Sequence, residues 1–230
     1  MDLMNRKVRG EIKHGVKYFQ VEQISFERLA KEGWPLQQDT LERQGRSRSM
    51  SQLQWESICL AGKDLPGFEA WAAIAEGGLA AALMICSVDD TATFLYALAD
   101  QKYFKDRVNH ALFYTVSCDL LKREGISRIF VTHQSLDAPA DLDNFKFRMG
   151  GAPIAIRQRV DVHPLLRPFV SVSLHKGIAR LLKQDPGNPL LAKAEGMLRF
   201  YIEGRRSLKE QVWPACLAAC KEELLNSLAG

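Results

Sequence analysis

An α/β fold with a mixed sheet is predicted for this chain by three observations on the segment from Ala70 to Val160. Apolar stretches are joined by the tight turns Glu76-Gly77-Gly78 and Val88-Asp89-Asp90, which sets two short hairpins side by side. A long amphipathic stretch follows, from near Asp106 to Gly125. Ile126 to Thr132 then has the composition of a buried strand, so an antiparallel meander passes into a parallel crossover. The two strands flanking that crossover must splay to admit a ligand.

Each element has a local reason. Val16 to Val21 alternates as a short first strand, and Ser25 is placed to cap a helix through Phe26, Leu29 and Ala30. Further helices are expected around Leu36 to Leu41 and from Ser49 to Leu60. Between them Arg43-Gln44-Gly45-Arg46-Ser47-Arg48-Ser49 forms a basic loop, either a solvated connector or a segment that contacts phosphate. Phe68–Ala75, Leu79–Ser87 and Thr91–Ala99 alternate or run apolar as core strands do. The long helix carries Leu112, Phe113, Val116, Leu120 and Leu121 as a stripe for one sheet face, and Gly125 ends it. Asp141 to Met149 reads as a short helix stopped by Gly150-Gly151, and Ala152 to Val160 as the last strand. After His163-Pro164, Leu165–Leu182 and Pro189–Ile202 are amphipathic helices split by the turn Asp185-Pro186-Gly187-Asn188; Ser207–Leu228 is a final helix interrupted at Pro214.

Composition narrows the function class. Apolar residues make up 47% and charged residues 25% of the 230 residues, as in globular domains with a sizeable core. A net charge of +4 suits an anionic ligand and falls well short of a nucleic-acid binder. The five cysteines show no metal-ligand spacing, and their odd number argues against a disulfide framework. Cys86 and Cys118 sit in apolar stretches and are expected in the core. Met1 to Gly10 is too polar for a signal peptide, and the longest apolar run, Gly77 to Cys86, is about half a membrane span. A cytoplasmic location follows as an expectation, and no metal is expected.

The strand and helix order, with Phe145-Lys146 just ahead of Gly150, resembles the GNAT acyltransferase superfamily. In flavour the chain is most similar to the Fem-type and GNAT-like transferases of bacterial envelope pathways. The resemblance covers about Ala70 to Pro164. It implies a GNAT-like acyltransferase domain over residues 1–164, with splayed central strands, and a C-terminal helical extension over 165–230. Two departures matter. The stretch Asp100 to His110, where many members have a glycine-rich phosphate loop, contains no glycine; Lys102, Lys105 and Arg107 supply charge instead, and Asn109 is placed to cap the helix. Lys146 stands where many acetyltransferases have a tyrosine, and in the Fem-type enzymes such a lysine stabilises an oxyanion or an anionic substrate.

The resemblance implies an enzyme that moves an acyl group from a thioester, on acyl-CoA or an acyl-carrier protein as co-substrate, to a primary amine on a small molecule or peptide. The amine attacks directly in a ternary complex. Two alternatives stand beside it: a Fem-like transferase that uses aminoacyl-tRNA, and a non-catalytic GNAT-like protein that binds a partner. For the chemistry, backbone N–H groups at Tyr96, Ala97 and Leu98 are candidates to hold the reacting carbonyl. Lys105, Arg107, Val108, Asn109 and His110 are candidates for the donor's phosphates. His133, at the carboxyl end of a strand, is a candidate base or an ordinary surface histidine. Tyr96 is a candidate acid if it faces the cleft, and Lys146 a candidate oxyanion stabiliser. Arg157 and Arg159, two apart on the expected last strand, either line an acceptor site or decorate a solvated edge.

Overall fold

The computed structural model describes residues 4–45, 49–133, 140–154, 156 and 160–229. It divides into two compact units. The first comprises the described residues of Met1–His133 with Arg148–Gly150, and the second those of Gln134–Phe147 with Gly151–Gly230.

The first unit is built on a five-stranded mixed sheet of β1 (Gln20–Ile24), β2 (Phe68–Ala75), β3 (Gly78–Val88), β4 (Thr91–Ala99) and β5 (Arg128–Phe130), in that spatial order. The first three pairings are antiparallel and β4–β5 is parallel, as the sequence pattern predicts. Both hairpins turn through left-handed backbone, at Glu76 and Gly77 in one and at Asp89 in the other, the twist that matches two paired strands. Helices α1 (Arg6–Tyr18) and α5 (Val108–Leu120) cover one face of the sheet, where Leu83, Ile85, Leu112 and Val116 are buried together. Helices α2 (Phe26–Glu32), α3 (Trp34–Arg43) and α4 (Gln52–Gly62) cover the other, with Leu29, Trp55 and Leu98 at its centre. Because both faces are covered, β2 and β3 are apolar on both sides. Alanine fills much of them, with Ala70 and Ala72 turned to one face and Ala73 to the other.

Capping decides where the helices start. The Ser25 and Ser51 hydroxyls accept from the N–H groups of Arg28 and Gln54, and Gln54 returns the bond to the Ser51 N–H. At the amino end the sequence reading is corrected: residues 16–18 belong to α1, and β1 begins only at Gln20. The Asn5 side chain accepts from the Val8 N–H at 2.9 Å, and the stripe Val8, Ile12, Gly15 is buried at helical spacing within a polar segment. Gly15 is there for close approach. A Cβ on it would stand 2.6 Å from the Arg107 carbonyl oxygen and 3.2 Å from the Ala111 Cβ.

Other expectations change as well. The strand expected over Ile126–Thr132 is reduced to Arg128–Phe130 and is partly exposed, and among the described residues it is the edge of the sheet and not a buried strand. None of the described residues of 152–160 is in a strand. Helix α5 starts at Val108, not Asp106, and ends at Leu120, leaving Leu121 exposed before the left-handed Gly125. Of the cysteines, Cys86 and Cys118 are only half-buried; Cys59 is the one fully enclosed, and burial, with a smaller push from Glu56, raises its thiol to about 12.

In the second unit α6 (Ala140–Arg148, its last residue counted with the first unit) ends at the left-handed Gly150, and the Gly151 N–H bonds back to the Lys146 carbonyl at 3.0 Å. A 3-10 turn at Pro164–Phe169 leads into α7 (Val172–Gln184), which pairs with α8 (Pro189–Glu203) through the predicted turn. His175 and Arg199 both meet Glu195 within that pair, at 2.8 and 3.2 Å. The helix expected from Ser207 forms only after Pro214, as a 3-10 segment and then α9 (Lys221–Ala229). Pro214 withholds an N–H and disfavours helix at the residue before it.

Replacing Gly15 by Ala is expected to destabilise the chain by about 1–3 kcal/mol, because α1 must move off α5. Urea unfolding at equilibrium measures it; a gain in stability would show that the approach is slack.

Candidate functional site: an open edge on strand β4

β4 is nine residues long, yet β5 pairs with only three of them. Thr91 lies opposite Arg128, Ala92 opposite Ile129 and Thr93 opposite Phe130. Beyond Thr93 the strand has no neighbour on that side among the described residues. The parting has a visible cause on the other edge. Against β3 the register passes from Ile85–Phe94 to Met84–Tyr96, so Leu95 is an extra residue in β4. Such a bulge bends and twists its strand. Upstream, the two strands are fastened. The Asp90 carbonyl accepts from the Ser127 and Arg128 N–H groups at 2.9 and 3.2 Å, while its carboxylate accepts from the Ser127 hydroxyl and from Arg128. The Ser127 hydroxyl foremost, with Thr91 and Arg128, holds that carboxyl below the usual range. Clipped at one end and bent in the middle, the pair parts after Thr93 and Phe130, and the unpaired side of β4 beyond them is the wedge of this sheet.

Which backbone groups face the wedge follows from the ladder. The Asp100 N–H donates to the Ala80 carbonyl at 3.0 Å, so Asp100 and, two residues back, Leu98 turn their polar groups toward β3. Ala97 and Ala99 turn theirs the other way. Of the Tyr96-Ala97-Leu98 trio suggested by the sequence, Ala97 is therefore the residue with N–H and C=O on the open side, and its own side chain is exposed and small. The Ala99 carbonyl is taken by Arg43, whose Nη2 lies 3.2 Å away. That guanidinium also bonds Asp39 and Thr40 and sits over the Phe104 ring at 5.0 Å, fixed at the wide end of the wedge. Tyr96 packs edge-on against Trp55, on the face covered by α4. His133 is exposed just past β5, its ring 4.8 Å from that of Phe130.

The glycine-free connection from β4 to α5 is ordered by its own side chains. Asp100 accepts from the Lys102 N–H at 2.9 Å, Tyr103 is buried, and Lys102 lies over the Tyr103 ring. The left-handed residue that starts α5 is Arg107, at φ 64°, so Asn109 lies inside the helix and is not its cap. No side chain caps this end, which leaves the helix's positive pole open to an anion.

An acidic side chain already stands there. Glu11, on α1, is mostly buried and meets Arg107 at 3.5 Å, His110 at 3.3 Å and Arg148 at 2.6 Å. Lys7, Gly10, Glu11, His14, Lys105 and Arg107 line an open pocket of about 390 Å³ beside it. Burial lowers the His110 pKa, and Glu11 acts against that shift. Glu11, Lys7 and His14 carry no site signal in the sequence, and Arg43, read there as the start of the basic loop, is the last residue of α3. The Asn5 cap and the 8, 12, 15 spacing are the signal that α1 exists and brings Lys7, Glu11 and His14 here.

Lys146 belongs to the second unit. It is mostly buried, and its ammonium pairs with Asp143 at 2.8 Å, one helical turn away. Cys216 is close enough to both for their charges to act on it, although burial is the main reason its thiol is pushed up. Arg157 and Arg159 lie outside the described residues, as do Arg46 and Arg48 of the basic loop. Among the described residues no group of three His, Cys, Asp or Glu side chains is placed to hold a metal.

No family model matches the chain, and no curated protein matches it. Among solved structures, the ribosomal-protein-alanine N-acetyltransferase from Brucella melitensis biovar Abortus 2308 is similar at 12% identity over 63% of this chain and 99% of that one, with a TM-score of 0.49. An aminoglycoside acetyltransferase from an uncultured soil metagenomic sample, solved in complex with sisomicin, is similar at 15% identity over 64% of this chain and 95% of that one, with a TM-score of 0.47. Glucosamine-6-phosphate N-acetyltransferase from Arabidopsis thaliana gives 10% identity over 64% and 98%, with a TM-score of 0.45.

The His110 shift sets a pH dependence. Burial disfavours the imidazolium, so between the lowered native value and the ordinary value of 6.5 the unfolded chain binds more protons. The contribution of this group is complete above that window and is lost as pH falls through it. His110→Gln is expected to flatten the acid-side loss of stability from about pH 7 to about pH 5 in urea unfolding. Glu11→Gln is expected to lower the imidazole's native pKa further, followed by its NMR titration; an unmoved titration would mean that the carboxylate does not act on the ring.

Proposed function

We propose that the chain is a GNAT-like N-acyltransferase that moves an acyl group from a thioester donor to a primary amine. The observation that supports this reading is the wedge: a strand whose backbone polar groups, at Ala97, face an opening and not a neighbour. A donor with an amide-bearing arm can add to such an edge as a further strand would, placing its acyl carbonyl at the bend. The donor class we favour is acyl-CoA or an acyl-carrier protein, both of which bring phosphate. Lys105, Arg107, Asn109 and His110, with the backbone of Val108, form the α5 end that would meet it. Lys7 and His14 add positive charge from α1. Phosphate bound there competes with Glu11 for Arg107, a consequence of the missing glycines.

In the proposed step the amine nitrogen attacks the thioester carbon within a ternary complex. The carbon–sulfur bond then breaks, the thiolate leaves and takes a proton, and the new amide nitrogen gives one up. Ala97 N–H donates to the developing oxyanion; the role that the resemblance gives Lys146 is to stabilise an oxyanion or an anionic substrate. His133 accepts the amine's proton, and the departing thiolate takes one from water, Tyr96 being packed against Trp55. Arg157 and Arg159 hold an anionic group of a small-molecule or peptide acceptor. No step uses a metal.

The test is thiol release from acyl-CoA donors of graded chain length in the presence of an amine panel. Intersecting initial-rate patterns are expected, and an isolable acyl-enzyme would overturn the direct route. Activity that requires charged tRNA and disappears with RNase would move the chain to the aminoacyl-tRNA-dependent class. Lys146→Ala is expected to lower kcat by about two orders of magnitude with little change in fold, the usual cost of one oxyanion donor. Unchanged turnover would remove Lys146 from the mechanism.

A further inference from the structure

The second unit displays a surface that acyl transfer does not use. From Val162 to Gln184 the sequence contains no Asp or Glu, while Arg167, Lys176, Arg180 and Lys183 fall within it. Residues 165–230 hold ten Lys and Arg against six Asp and Glu, so the chain's entire net charge of +4 resides there. The same stretch exposes large apolar side chains: Leu165 at 76%, Phe169 at 71%, and Val172, Leu174 and Leu181 at more than two-fifths each. Helix α7 packs on α8, with His175, Ile178, Ala179 and Leu182 as its half-buried stripe. At about 100° per residue, Leu174 and Leu181 flank that stripe on one side, Lys176 and Lys183 flank it on the other, and Arg180 lies opposite it. One-signed charge, a protruding Phe and Leu, and low overall hydrophobicity are the features of a helix that lies in a lipid–water interface. No helix among the described residues is long and apolar enough to cross a membrane.

We propose that Pro164–Gln184 lays this unit on an anionic lipid surface. Leu165 and Phe169, in the turn that leads into α7, enter the boundary between headgroups and acyl chains, and Arg167, Lys176, Arg180 and Lys183 meet the headgroup phosphates. Lipid is favoured over a protein partner because the cations are spread along the whole segment without a single acidic residue. A fluid anionic surface meets that pattern with no fixed partner geometry, whereas a folded acidic partner would have to match its spacing.

The experiment is flotation of the full chain with vesicles of phosphatidylcholine alone and of phosphatidylcholine mixed with phosphatidylglycerol in equal parts. The chain is expected to float with the mixed vesicles only and to be released as salt is raised. Replacing Lys176, Arg180 and Lys183 together by Gln is expected to weaken partition about a hundredfold, near fivefold for each cation. Phe169→Ser with Leu165→Ser is expected to weaken it while preserving the salt dependence. Equal flotation with neutral vesicles overturns the proposal, as does no flotation with either at low salt. A lipid-free dimer that dissociates on Phe169→Ser would identify a second copy as the occupant and overturn it too. Should either variant fail to fold, the salt titration of the unaltered chain decides alone. None of these readouts depends on acyl transfer.

Discussion

The first unit's sheet is governed by one geometric constraint: among the described residues, β4 loses its neighbouring strand after the third of its nine residues. Two local causes act together. Asp90 ties the start of β5 to the start of β4 through backbone and side chain, and the extra residue at Leu95 bends β4 immediately after the last paired position. An unpaired edge inside a sheet invites aggregation, and here it is kept short. Arg43 occupies the carbonyl of Ala99, and the stretch that remains open is only a few residues long.

A second constraint governs the start of α5. Gly15 lets α1 come against the Arg107 carbonyl, and that approach carries Glu11 to the first turn of α5. Packing and electrostatics are thus one arrangement. A residue without a side chain on α1 determines which charge the helix end meets. The left-handed Arg107 is the local cost of turning the chain into α5 without glycine, and its guanidinium is used in return to hold Glu11.

Much of the sheet was legible in the sequence, because its signals are local. Phe68–Ala75 and Thr91–Ala99 were read at the bounds they have, since alternation and turn chemistry both act within a few residues. The Ser25 cap was read for the same reason. What failed depended on distant contacts. Residues 16–18 alternate like a strand until α5 supplies a partner for Val8, Ile12 and Gly15. Ile126–Thr132 has the composition of a buried strand but lies at an edge where pairing stops after three residues. At the site, Ala97, Lys105, Arg107 and His110 were within reach of sequence reasoning because a strand and the following helix end are sequential. Glu11 was not. It lies 96 and 99 residues before Arg107 and His110, and only the packing of two helices reveals it.

Cys59 gives the molecule a reporter of its own motions. Its thiol is wholly enclosed on the buried face of α4 and is kept protonated by that enclosure, whereas the other four cysteines are partly accessible. Alkylating reagents attack the thiolate and need a path to the sulfur. Cys59 therefore reacts only in those moments when α4 lifts from the sheet, and the pace of its modification counts such openings one at a time.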